Sequence, residues 1–199
     1  MTIVPKRLGV KFSLKQQPSL EPEDILPIFQ RWIQEHSVEG MLIDVIDYKH
    51  VPEGPGVVLI ADEADIAYDL ADGQIGLHYI RKRELPNDLE AALRLVFHRA
   101  LAAARALEAE APDDIVFDFN TVKISFFDRM NYRNSLQVFE GLRAILSHIL
   151  GAIYGVDIAI ARQYTDPRAA FALRCTVDGA SEIDADTLSA RLEPDQHTV

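Results

Sequence analysis

Cysteine is nearly missing from this chain: Cys175 is the only one in 199 residues. A single thiol excludes an internal disulfide framework. Cys175 alternates with Phe171, Leu173 and Val177, which sets it on an apolar face where a thiol packs and stays inert. A reducing, cytoplasmic compartment is the simplest expectation. Long uncharged apolar runs are missing too. None approaches the roughly 18–20 residues that cross a bilayer, so no membrane span is expected. Met1–Pro5 leads straight into a strand pattern, without the apolar stretch of a secretion signal. Basic charge is scarce, with 20 Lys and Arg against 31 Asp and Glu and a net charge of −11. Such a chain repels nucleic-acid phosphates, and no nucleic-acid partner is expected. Catalytic signatures are also missing: there is no Gly-x-Ser-x-Gly elbow, no phosphate-loop lysine and no dinucleotide-binding glycine spacing. Triads assemble from residues distant in sequence, so this lowers the odds of an enzyme without excluding one.

What is present is a core-forming pattern. Hydrophobic residues make up 48% of the chain, enough for a one-domain core. Leu8, Val10, Phe12 and Leu14 alternate with Lys11, Ser13 and Lys15, which predicts a strand. Ile25–His36 carries a helical stripe with Pro27 expected in its first turn. Met41–Asp47 and Val57–Ala61 read as strands. Ile66–Leu70 and Ile75–Ile80 flank Ala71-Asp72-Gly73-Gln74, a hairpin signal. A long helix ends near Glu110, with Asn87 as its expected cap. Ile115–Phe119 and Val122–Phe127 read as two separate strands. A third helix covers Leu136–Tyr154, with Asn134 as its expected cap and Gly155 at its end. Val156–Arg162 and Ala170–Val177 complete the strands, and Glu182–Leu192 reads as a short amphipathic helix.

The order strand–helix–strand–strand therefore occurs twice, over residues 7–61 and 119–177, with 62–118 inserted between. Val10-Lys11-Phe12-Ser13 echoes Val122-Lys123-Ile124-Ser125. Two readings stand: a duplicated unit, or an ordinary chain with chance identities. The expected fold is α+β, a mostly antiparallel sheet of about eight or nine strands with three main helices on one face. It forms one domain over residues 1–178, followed by a weakly structured acidic segment, 179–199.

In element order, most of residues 7–177 resembles the duplicated modules of the gyrase-inhibitor-like and SOUL-type haem-binding superfamily. That resemblance implies two modules around a concave groove that takes a small apolar ligand or a protein surface. No sequence motif carries it. The stretch Leu42–Leu70, centred on Asp47-Tyr48-Lys49-His50-Val51-Pro52, is similar to a family of uncharacterised bacterial proteins, several of them cyanobacterial, and implies no activity.

The two units differ most in the connection between their last strands, so residues of the first connection become candidates for a ligand or partner loop: His50, Pro52, Glu53, Gly54, Pro55 and Gly56. The plain alternative is a tight connector shaped by its glycines and proline. His50 with Asp47 and Glu63 is the candidate acid/base group. The spacing of the neighbouring carboxylates, Asp69 and His78 included, matches no established metal site, so no metal set and no cofactor are expected. Arg81, Lys82, Arg83 and Arg94 form a candidate cationic patch, although Glu90–Arg94 also reads as an i,i+4 helix pair. The leading functional expectation is a non-enzymatic cytoplasmic protein that recognises a protein partner or a small ligand through a groove or sheet edge, with a homodimer as an open possibility. The alternative is a small-molecule enzyme working near His50, and the third reading is a divalent-metal-binding protein.

Overall fold

A computed structural model describes residues 3–52, 54–177, 179 and 182–192. The fold is α+β. Eight strands form one antiparallel sheet: β1 Leu8–Leu14, β2 Leu42–Asp47, β3 Val57–Ala61, β4 Ala64–Asp69, β5 Gly76–Arg81, β6 Phe117–Phe126, β7 Ile158–Arg162 and β8 Phe171–Val177. Their order across the sheet is β2-β3-β4-β5-β1-β6-β8-β7. Four helices accompany them: α1 Pro22–Glu35, α2 Leu89–Glu110, α3 Leu136–Tyr154 and α4 Ala185–Leu192. Pairing keeps side chains of like character together. Val10 and Phe12 lie opposite Tyr79 and Leu77 on one side, and opposite Ile124 and Val122 on the other. All are buried on the face that the helices cover. Phe12 meets Phe97 of α2 and Phe119 edge-on, with centroids 6.1 and 5.1 Å apart. Such edge contacts add to the hydrophobic gain of burial. The opposite face, here the open face, holds Lys11, Ala67, His78, Ser125 and Ala172, which are buried as well.

The helix starts differ from expectation for local reasons. Asp88, not Asn87, caps α2, its Oδ2 accepting the Ala91 N–H at 2.9 Å. Ser135, not Asn134, caps α3, its Oγ accepting the Val138 N–H at 3.2 Å. In both cases the neighbouring Asn and Asp or Ser are equally good cap formers, and Asn134 instead donates its amide to the carbonyls of Tyr164 and Asp166. α1 begins at Pro22, so Pro27 stands in its second turn. It is exposed there, and so is Glu23, whose carbonyl loses its helical partner. Gly155 ends α3 at φ 69°, as its position predicts. By length and composition α3 could cross a membrane; it carries Glu140 and Arg143, and it buries Phe139, Leu142, Leu146, Ile149, Leu150, Ile153 and Tyr154.

The two segments expected as separate strands between Ile115 and Phe127 are one strand, β6. Its pairing with β1 jumps from Val122 opposite Phe12 to Asp118 opposite Ser13. This bulge shifts the inward set from odd positions (Phe117, Phe119) to even ones (Val122, Ile124, Phe126). A change of parity looks like a strand break in the sequence.

The two strand–helix–strand–strand units occupy opposite ends of the sheet, with β2 and β7 at the edges. They differ in pairing. β8 pairs directly with β6, whereas β4 and β5 intervene between β3 and β1. The echoing tetrapeptides face each other, with Lys11 directly opposite Lys123.

Candidate functional site

The register places one row of basic side chains across the open face. His78 of β5 pairs with Lys11 of β1, Lys11 with Lys123 of β6, and Lys123 with Arg174 of β8. Adjacent strands lie about 5 Å apart. Two unit charges at that separation repel by about 3 kcal/mol at an effective dielectric near 20. A sheet carries such a row only if something neutralises it.

Two carboxylates do so, Asp69 at the end of β4 and Asp72 in the β4–β5 connection. Lys11 is buried, and its Nζ lies 2.9 Å from Asp69 Oδ2. It also donates to the carbonyls of Asp69 at 3.3 Å and Ala71 at 3.1 Å, so all three of its protons are used. Burial lowers the Lys11 pKa, with Asp69 opposing that fall. Burial also pushes the Asp69 carboxyl up, but His78 and Lys11 outweigh it and hold that carboxyl well below the usual range. His78 Nδ1 stands 3.7 Å from Asp69 Oδ2, an electrostatic contact too long for a hydrogen bond. Burial lowers the His78 pKa against the pull of Asp69, and Lys123 and Lys11 lower it further. A neutral, buried imidazole results. Its Nε2 has no hydrogen-bond partner among the described residues.

Asp72 serves Lys123. It stands in the left-handed region at φ 66°, ψ 17°, which Asp tolerates better than most residues. That turn brings Asp72 Oδ2 to 2.7 Å from Lys123 Nζ. Tyr164, from the β7–β8 connection, donates its hydroxyl to the same carboxylate at 2.7 and 2.8 Å. Partial burial raises the Asp72 pKa, and the bonds from Lys123 and Tyr164 more than reverse this. Burial and Asp72 together raise the Tyr164 phenol well above its ordinary value.

Arg174 is the exception in the row. It is exposed and has no ion-pair partner among the described residues. It borders a cleft of about 440 Å³ together with Ser13, Gln74, Asp118, Asn120, Thr121 and the Lys15–Glu182 ion pair. A smaller void adjoins it, bounded by Lys11, Asp72, Lys123 and Gln163. The β6 bulge sets the floor of the cleft. Asp118 Oδ1 accepts the Asn120 N–H at 2.9 Å, and Asn120 Oδ1 accepts the Ile183 N–H at 2.8 Å. The cleft offers hydroxyl, amide and guanidinium donors beside Arg174, which has no ion-pair partner among the described residues, and it holds the carboxylates Asp118 and Glu182. Neighbouring Cys175 points the other way, into the core, and burial pushes its thiol up to about 12.

The residues singled out from sequence lie elsewhere. His50 is exposed, and its ring stands 6.4 Å from that of Tyr48. Asp47 Oδ1 accepts the Lys49 N–H at 2.8 Å, and Glu63 Oε2 accepts the Met41 N–H at 3.1 Å. Among the described residues no hydrogen bond or ion pair joins His50 to either carboxylate. The loop from His50 to Gly56 is closed by its own backbone. Tyr48 N–H bonds the Gly56 carbonyl at 2.7 Å, and Gly54 N–H bonds the Val51 carbonyl at 3.0 Å. Pro52 and Pro55 are exposed, Gly54 and Gly56 are buried, and Gly56 takes φ 64°; Glu53 lies outside the described residues. The basic run is internally engaged. Lys82 pairs with Asp65 at 2.6 Å, Arg83 with Asp62, Arg81 with Glu84 at 3.4 Å, and Arg94 with Glu90 at 3.1 Å. No group of three or more potential metal ligands comes together among the described residues.

Sequence reasoning passed over Lys11, Lys123 and Arg174. The available signal was the echo of Val10–Ser13 in Val122–Ser125, which marks the two lysines that meet at the centre of the sheet. No family model, curated protein or solved structure matches the chain.

Proposed function

We propose that the chain is a small-ligand-binding protein whose ligand carries one anionic group and several hydrogen-bonding groups. The ligand occupies the cleft of about 440 Å³ on the open face of the sheet. The observation that carries this reading is Arg174. Among the described residues it is the one cation of the central row without a counter-ion, and it borders the cleft. Asp69 and Asp72 neutralise Lys11 and Lys123, and a ligand anion would do the same for Arg174. The surrounding donors, Ser13, Gln74 and Thr121, suit hydroxyls and amides on the remainder of the molecule. The nearby carboxylates Asp118 and Glu182 confine the anionic end to the Arg174 side.

Calorimetric titration with a panel of small carboxylates and phosphate esters at constant ionic strength tests this. At least one should bind, and Arg174→Ala should weaken it about tenfold or more, the usual worth of a charge-assisted contact. Uniform failure of the panel, or binding that Arg174→Ala leaves intact, refutes the proposal.

A further inference from the structure

The two edges of the sheet are finished differently. β2 carries a bulge between Leu42 and Asp44 and the carboxylates of Asp44 and Asp47, devices that discourage another strand from adding there. β7 has none of them. Ile158-Ala159-Ile160-Ala161-Arg162 contains no Lys, Pro, Gly or acidic residue, and it pairs with β8 in unbroken register. Gln163 N–H donates to the Ala172 carbonyl at 2.8 Å. Alternate residues of an antiparallel strand turn their main-chain groups to the same neighbour. Ala159, Ala161 and Gln163 therefore serve β8, while Ile158, Ile160 and Arg162 each turn an N–H and a C=O outward. Those outward groups have no hydrogen-bond partner among the described residues.

The helix beside this edge is also incompletely covered. α3 packs on β7, and only 33% of its most apolar 18-residue stretch is buried. A helix that is hydrophobic all round is ordinarily buried all round. Tyr154 meets Phe97 of α2 edge-on, with centroids 6.1 Å apart, and its carbonyl accepts Arg191 of α4. Ile145 stands about two and a half turns before Tyr154, so it lies on the flank of α3 away from α2 and α4. Val138 and Ala152 share that flank by helical spacing. Ile145 and Ala152 are exposed, and Val138 is half-buried. Glu140 and Arg143 turn to another side and pair with each other at 3.9 Å.

We propose that β7 and the outer flank of α3 join two copies of this chain about a two-fold axis. An axis normal to the sheet runs identical edge strands antiparallel and keeps each side chain on its own face. Centred on Ile160, it sets Ile160 against the second copy's Ile160, and Ile158 against the second copy's Arg162. Every outward N–H and C=O of β7 then finds a partner. Ala159 meets the second copy's Ala161 on the open face. The charges agree with this pairing. Asp157 and Arg162 flank the strand, and neither has an ion-pair partner among the described residues. Antiparallel pairing brings the acidic end of each strand beside the basic end of the other. Residues 136–163 carry Glu140 and Asp157 against Arg143 and Arg162, so two copies of a chain with net charge −11 meet here through a balanced face. A strand pair alone falls short of the roughly 1,200 Å² of a stable interface, and the flanks of α3 supply the remaining area.

Sedimentation of the full chain without ligand tests this. At about 100 μM, above the micromolar weak end for stable interfaces, the chain should run at twice the mass of one copy. Ala159 and Ala161 are exposed. Ala159→Lys/Ala161→Lys sets lysines against lysines across the interface and should weaken association about tenfold or more. Ala159→Glu/Ala161→Lys sets each glutamate against a lysine and should restore the dimer. Both variants place the same lysine opposite Arg174, so they differ only at residue 159. In the parent, amide exchange should be slow at Ile158, Ile160 and Arg162; in the lysine variant it should stay slow only at Ala159, Ala161 and Gln163. A monomeric parent overturns the proposal, as does a dimer that the lysine pair leaves intact or that both variants weaken equally. A monomer that binds neutral phosphatidylcholine vesicles would assign this face to a lipid surface and overturn it too. No ligand enters these measurements, so failure here and failure at the open-face cleft are read separately.

Discussion

Gly9 measures how closely the open face is packed. A Cβ at this position would lie 2.5 Å from His78 Nε2 and 3.2 Å from the Phe127 ring. His78 is buried and held between Lys11 and Asp69, so it has nowhere to retreat. Gly9→Ala should therefore cost about 1–3 kcal/mol through overpacking, measured by chemical denaturation. Gly141 is the contrasting case. It is an exposed helical residue of α3 with nothing within 4 Å of its would-be Cβ. Gly141→Ala should stabilise by about 0.5–1 kcal/mol, because alanine gives up less backbone freedom in a helix. If both substitutions change stability in the same direction, the packing assigned to Gly9 is wrong. Neither outcome can be read from the sequence, where both glycines sit inside regular elements.

The end of β4 and the turn that follows it act on strands that they do not pair with. Asp69 reaches Lys11 on β1, and Asp72 reaches Lys123 on β6. Removing one member of the buried pair leaves the other uncompensated. Lys11→Met should cost about 3–5 kcal/mol, and adding Asp69→Asn should recover part of it. A double variant as unstable as the sum of the singles would show that the two residues are not coupled. Much of the fold was legible at this scale. The alternation of Leu8–Leu14, the Asp72-Gly73 turn and the stripe of α3 each identify their elements, because burial of one face imposes a period. The site was not. Lys11 stands at an outward position, where sequence alone treats a lysine as solvated. Its burial depends on a carboxylate 58 residues away folding over it. The single strand β6 was hidden for a related reason: its bulge is set by pairing with β1 and has no local signal.

Across the whole molecule, acid should lower stability in two stages, with His78 contributing to the first and Asp69 to the second. His78 has a folded pKa below its ordinary value, chiefly because burial disfavours the imidazolium. Such a group contributes stability above its unfolded pKa, about 6.5, and that contribution falls as pH drops toward the folded value. Asp69 follows at lower pH. Its folded pKa is also depressed, so its contribution is full above about pH 4 and is lost as the carboxyl protonates. The other described histidines, His36, His50, His98 and His148, are exposed. Denaturation midpoints between pH 8 and 3 should therefore fall first below about pH 6.5 and again below about pH 4. His78→Gln should flatten the first limb and leave the second, because it removes the proton-binding site that the fold must keep neutral. An unchanged first limb in that variant would show that a different group carries the loss, and that burial does not hold His78 neutral.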